Sequence, residues 1–475
     1  MSRVLPALAI AATVASLPVQ SSPGFAQTQG APSASPAAAI ETGSTASPDT
    51  AADPGAPEIA PLAPRSSSSE GTRAKLHLAI QLFTGQGMAR DLPRAAALYR
   101  ELADQGDPLA QFSLGAMLSK GQGVERDPAQ ALVWFRKAAD QGFADAQLTL
   151  GQSYANGSGT ARDFAQAAHW YRKAADQGDA SAQFYLGMMF EKGQGLGRDL
   201  AQAALWFRKA ADQGSAAAQN DLGVLYFKGE GVPHDAAQAA QWYRKAADKG
   251  SVYAQTNLGA LYNRGAGVPR DYAQALLWFR KAADKGYAKG QTALASMYWN
   301  GHGVEQNHEK AVALAEKAAH QGLADAQFFL AVAYTVGKGV TRNDAYAADL
   351  ARKAAAQGHA GAQYYLGIAY AGGRGVRMDY TEALVWSRKA AAQGNPGAQF
   401  NIGILYEKGL GVRQDYAQAL AWYRKSAEKR FALAENQLAL MYEDGKGVPR
   451  DPEQATAWHR RAKEHGYPPK TPGTN

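Results

Sequence analysis

The sequence predicts an all-α fold, an α/α superhelical solenoid of eleven 36-residue helix-turn-helix repeats, on three observations. First, a Gly-x-Gly recurs with its first glycine at 85, 121, 157, 193, 229, 265, 301, 337, 373, 409 and 445, eleven copies without an insertion. A fixed period in this range marks a solenoid, in which each unit buries its apolar face only against its neighbours. Second, the apolar residues ahead of each Gly-x-Gly fall at helical spacing, as do those behind it. Third, the same position after the loop holds Asp91, Asp127, Asp163, Asp199, Asp235, Asp271, Asn307, Asn343, Asp379, Asp415 and Asp451, all good helix N-caps.

Taken from the N-terminus, residues 1–26 read as a secretory signal: Arg3 precedes an apolar run from Val4 to Leu17, and Gly24-Phe25-Ala26 supplies small residues for cleavage. The run has no amphipathic pattern and no neighbour to pack on, which disfavours a core helix. Residues 27–70 are rich in Ala, Ser and Pro, with prolines at 32, 36, 48, 54, 57, 61 and 64, and are expected to form a disordered linker. A simple spacer suits them better than a cell-wall-spanning arm. The repeats fill 71–466, and 467–475 read as a flexible tail.

Residues 254–286, AQTNLGALYNRGAGVPRDYAQALLWFRKAADKG, show how one copy is built. Ala254, Leu258, Leu261 and Tyr262 share one face of a leading helix spanning roughly Val252 to Asn263. The loop glycines permit the positive φ of a tight exit. Asp271 caps the trailing helix, with Gln274 placed to complete a capping box. Ala275, Trp278, Phe279 and Ala282 form its buried face, Arg280 and Lys281 lie at its carbonyl end where the helix dipole favours cations, and Gly286 stops it. A small residue follows the core leucine of the leading helix in most copies: Gly115, Gly151, Gly187, Gly223, Gly259, Gly367 and Gly403. Mid-helix glycine costs about 1 kcal/mol against alanine, so a neighbour is expected to approach the backbone there. His459 and Lys463 make the last helix polar where no further repeat covers it.

The recurring A-x3-L-G-x2-Y-x2-G-x-G-V-x2-D with the following A-x2-W-x-R-K-A-A-x-x-G resembles the Sel-1-like repeat, a relative of the tetratricopeptide repeat. The resemblance covers about residues 71–466. It implies a right-handed superhelix of antiparallel helix pairs serving as a protein-binding scaffold, without catalytic residues. Departures sit mainly in the seventh and eighth copies, where Leu314 and Leu350 replace the tryptophan and Glu316 the arginine.

Residues after 70 carry 48 basic and 37 acidic side chains. Much of that excess is the repeated Arg-Lys pair, already accounted for by the helix dipole, so no nucleic-acid partner is expected. An acidic envelope polymer or an acidic partner protein is the better use of the rest. No membrane span and no cofactor are expected. The chain has no cysteine, hence neither a disulfide framework nor a lipoprotein anchor. Gly193–Gly197 and Gly372–Gly375 resemble phosphate loops only in glycine content, and His302, His308, His320 and Glu309 match no compact metal-ligand spacing. No nucleophile stands beside a recognisable base. The leading function is therefore a non-enzymatic periplasmic or secreted scaffold that binds a partner protein through its concave face, in envelope signalling or exopolysaccharide control. The alternatives are an exported host-directed virulence factor and a cell-wall or β-lactam-acting hydrolase, although the β-lactam-directed relatives are cysteine-rich.

Partner-binding residues are sought where the leading helix is free to vary, just after its Ala-Gln. Aromatics crowd there in three successive copies. In a tetratricopeptide-like superhelix the leading helices line the inner wall, so Phe329, Tyr365 and Phe400 are expected to form a stripe, with Asn401 and Trp299 at its edge and Tyr185 an earlier counterpart. The first residue of each pair is expected to pack on the adjoining repeat, leaving Phe329 and Tyr365 exposed as anchors.

Overall fold

A computed structural model describes residues 70–467 of the chain. The expected signal, the linker before Glu70 and the tail from 468 lie outside the described residues. Within them every regular element is a helix, 22 in all, from Glu70–Thr84 to Pro452–Glu464. Two helices per copy make an α/α solenoid, with Glu70 already inside the first helix instead of the linker. Contacts divide it into two compact units, residues 70–278 and 279–467. Each has its own alanine-rich core, in which residues such as Ala210 and Ala354 let helices approach closely.

In the N-terminal unit the fourth copy shows the local logic. Its leading helix, Ala180–Lys192, begins at Asp179, whose carboxylate accepts from the Ala182 amide at 2.7 Å, and ends at left-handed Gly193. The second loop glycine, Gly195, has φ +69°, and a Cβ there would lie 2.1 Å from the Phe164 carbonyl oxygen of the preceding copy. Only glycine lets this loop lie against its neighbour. The trailing helix, Leu200–Asp212, is capped by Asp199, which accepts from the Ala201 and Gln202 amides at 3.0 Å each.

The capping box expected at Gln274 takes another form. Gln274 donates its amide to Asp271, but the Asp271 amide donates to the Tyr262 carbonyl at 3.0 Å. The corresponding bond joins Asp199 to Phe190 and Asp415 to Tyr406. With that donor satisfied by the leading helix, the glutamine side chain has no role in the cap and the turn is tied at both ends.

Two side-chain systems stitch copy to copy. Buried Gln183 donates to the Ala175 carbonyl at 3.2 Å and accepts at 2.8 Å from Gln213, which also donates to the Gly178 carbonyl. The same ladder recurs in the C-terminal unit through Gln363 and Gln393. In the last copy Glu435 and His465 replace the glutamines and meet at 2.7 Å. The Arg-Lys pairs do more than sit at a helix end. Arg208 donates to the Tyr226 hydroxyl at 2.6 Å and lies 4.9 Å from the Trp242 ring centroid, while Lys209 stands 3.8 Å from that of Trp206. In the C-terminal unit Arg388 donates to Tyr406 and Lys389 lies over Trp386. The cations are held on rings of their own and the next copy.

Candidate functional site

Gly115, Gly151, Gly187, Gly223 and Gly403 of the leading helices admit a close neighbour, and it is an aromatic ring. A Cβ on Gly187 would come within 2.6 Å of Phe207, and one on Gly403 within 2.4 Å of Tyr423. The position 14 residues after that aromatic, on the next leading helix, meets the same space. The Tyr171 and Tyr185 rings stack at 5.2 Å, and Tyr423 and Gln437 both donate to Glu407 Oε2, at 2.7 and 2.8 Å.

Read as pairs, most of these positions exchange bulk, although both members of the Tyr171/Tyr185 pair are aromatic. In the N-terminal unit they are Tyr99/Ser113, Phe135/Thr149, Tyr171/Tyr185, Phe207/Asp221 and Tyr243/Asn257. In the C-terminal unit they are Phe279/Ala293, Ala315/Phe329, Ala351/Tyr365, Ser387/Asn401 and Tyr423/Gln437. Where the trailing helix shrinks to alanine, the following leading helix supplies the ring.

This corrects the expected binding stripe. Phe329 and Tyr365, anticipated as exposed anchors, are each only 3 % exposed, because they fill the spaces left by Ala315 and Ala351. Trp299 meets Phe329 edge-on at 5.1 Å, and the Tyr365 and Thr335 hydroxyls share a 2.8 Å hydrogen bond. Burial pushes the Tyr365 hydroxyl pKa up, with the Thr335 bond opposing it. Tyr185 is half-buried in its stack on Tyr171. Of the first residues in each variable pair, Tyr364 is buried, whereas Phe328 and Phe400 are half-buried.

Only the ninth-copy pair, Ser387/Asn401, contains no aromatic, and it faces Gly367. There the structure has a cavity of about 280 Å³. Its floor includes Gly367, Ser387, Leu405 and Tyr423, all buried, and its rim includes half-buried Asn401, Ile404, Leu433 and Gln437. Phe400 and Asn401, both expected site residues, thus line an open space. The wall is largely hydrocarbon with a few polar groups. Ser387 is fully buried and its Oγ has no hydrogen-bond partner. Glu407, 7 % exposed, accepts from Tyr423 and Gln437 and is paired with Lys408 at 3.2 Å. Burial, followed by the Glu407 charge, raises the Tyr423 hydroxyl pKa far above the phenol range.

The Sel1 repeat matches residues 72–107, 108–143, 144–179, 180–215, 216–251, 252–287, 288–323, 324–359, 360–395, 396–431 and 432–467, the whole described array. The chain belongs to the Sel1-repeat family. Among solved structures it is similar to c5321, a protective antigen of uropathogenic Escherichia coli. The two are 36 % identical over 78 % of this chain and 89 % of that one, with a TM-score of 0.53. It is similar also to a Sel1 repeat protein from Oxalobacter formigenes, 35 % identical over 72 % of this chain and 96 % of that one, with a TM-score of 0.51. No curated protein matches.

Other copies in this chain carry an acid where Glu407 stands, among them half-buried Glu191. Burial first, then the Asp221 carboxylate, push its pKa up to about 7, with Lys228 and Lys192 opposing. Sequence reading passed over both acids. Their signal was a carboxylate on a leading helix at a position occupied elsewhere by Phe227, Ala371 or Trp299.

Proposed function

We propose that this Sel1-repeat protein is a non-enzymatic scaffold, exported to the periplasm or beyond, that binds a partner protein on the leading-helix side of its ninth to eleventh copies. The observation that carries this is the cavity beside Phe400 and Asn401, an apolar recess with a few polar groups, the usual make-up of a ligand or anchor-residue pocket. Export rests on the Val4–Leu17 run and its small-residue cleavage site. The similarity to a protective antigen favours, as a second reading, a host-directed role outside the cell.

A photo-cross-linking residue at Leu433, on the rim, tests the binding surface in native cells. Adducts with one partner protein are expected from Leu433 and not from Val133, an exposed position in the N-terminal unit. Equal labelling from both positions contradicts the proposed surface. N-terminal sequencing of the same material is expected to begin near Gln27, and an intact Met1 in the cytosolic fraction contradicts export. Turnover of wall fragments by the purified array would replace the scaffold with the hydrolase.

A further inference from the structure

We propose that the ninth-copy cavity is a socket for one tyrosine side chain presented by the partner, an inference that rests on the scaffold reading and names its anchor. The solenoid itself shows what the space is shaped for. A Cβ on Gly115, Gly151, Gly187, Gly223 or Gly403 would meet a trailing-helix ring, and Phe329 and Tyr365 fill the corresponding place from the next leading helix. Gly367 and Ser387 of the ninth copy and Asn401 of the tenth supply no ring. A volume of about 280 Å³ exceeds the roughly 150 Å³ that suffices for a benzene ring.

A phenol is favoured over a plain hydrocarbon by the floor. The Ser387 Oγ is fully buried, has no hydrogen-bond partner and lies 2.5 Å from where a Gly367 Cβ would be. An unpaired hydroxyl buried among hydrocarbon is destabilising until something pairs with it. A ring entering between Asn401, Ile404 and Leu433 carries its para hydroxyl towards that floor, where a turn of the Ser387 side chain into the cavity lets the two hydroxyls pair. The half-buried Asn401 and Gln437 amides remain at the rim for the backbone of the segment that bears the ring.

The test uses the full chain with p-cresol, the tyrosine side chain as a free molecule, with toluene, and with N-acetyltyrosinamide. Binding is followed by the methyl resonances of Ile404, Leu405 and Ile368, which also lines the cavity. Saturable shifts are expected with p-cresol and N-acetyltyrosinamide. Two variants fill the space from opposite sides: Ser387→Phe restores the trailing-helix ring, and Asn401→Tyr copies the arrangement at Tyr365. Each is expected to weaken p-cresol binding more than tenfold with helicity retained, so the result does not depend on one variant folding. Ser387→Ala is expected to weaken p-cresol about fivefold, the usual worth of one hydrogen bond, and to leave toluene unchanged. No saturable p-cresol binding, or binding that survives both filled variants, overturns the socket. Binding of p-cresol without N-acetyltyrosinamide assigns the cavity to a free phenol and overturns the partner's tyrosine. A Leu433 adduct that persists in both filled variants leaves the scaffold standing and removes this anchor.

Discussion

Single side chains decide where this repeat array departs from its own pattern. Glu191 illustrates the cost of such a departure. Its pKa is raised from the ordinary 4.5 to about 7, so the folded chain holds a proton that the unfolded chain has released. The Glu191 contribution to stability is therefore fully present below about pH 4.5 and is lost as pH rises through about 7. Urea unfolding of Glu191→Gln is expected to lose that decline and to exceed the parent in stability at pH 8; an unchanged slope between pH 5 and 7 would sink the assignment. The acids were legible only as oddities, because a carboxylate on a helix reads as solvent-facing until the neighbouring copy is placed over it. Phe329 and Tyr365 misled for the same reason. Their sequence context shows that they vary, but whether they face solvent depends on Ala315 and Ala351, 14 residues earlier and across a helix interface.

At the level of the element, the loop and caps were readable almost residue by residue. The expected helix from Val252 to Asn263 runs Val252–Arg264, and each Asp or Asn stands outside its helix as anticipated. Local rules suffice there because a cap and a positive-φ glycine are nearly self-contained. Gly195 and Gly197, two residues further along the same loop, nevertheless do different work. Gly195→Ala is expected to destabilise by about 2–4 kcal/mol, since it combines a left-handed backbone with a Cβ driven into the Phe164 carbonyl. Gly197→Ala, with nothing within 4 Å, is expected to be near neutral. Equal effects of the two substitutions on the denaturation midpoint would refute the packing role of the second glycine. The glutamine ladder was not legible, because its partners are carbonyls of another copy. Gln183→Leu removes one of the bonds to the Ala175 carbonyl, which keeps the Gly178 amide, and one bond from Gln213, and is expected to cost about 1 kcal/mol, measured by the same denaturation.

For the molecule as a whole, the period alone carried the fold, because eleven copies in register admit few other architectures. The candidate site was half legible: Phe400 and Asn401 were singled out, but for a stripe of aromatics, whereas the structure draws attention to the one pair that lacks them. A missing ring leaves no mark in a sequence until the position it should occupy is known. The ninth copy is held one aromatic short. The most direct test of that vacancy is the thermal unfolding of Ser387→Phe against the parent chain without ligand. A filled vacancy predicts a higher melting temperature, equivalent to about 1–2 kcal/mol after the strain of repacking; a lower or unchanged melting temperature contradicts it.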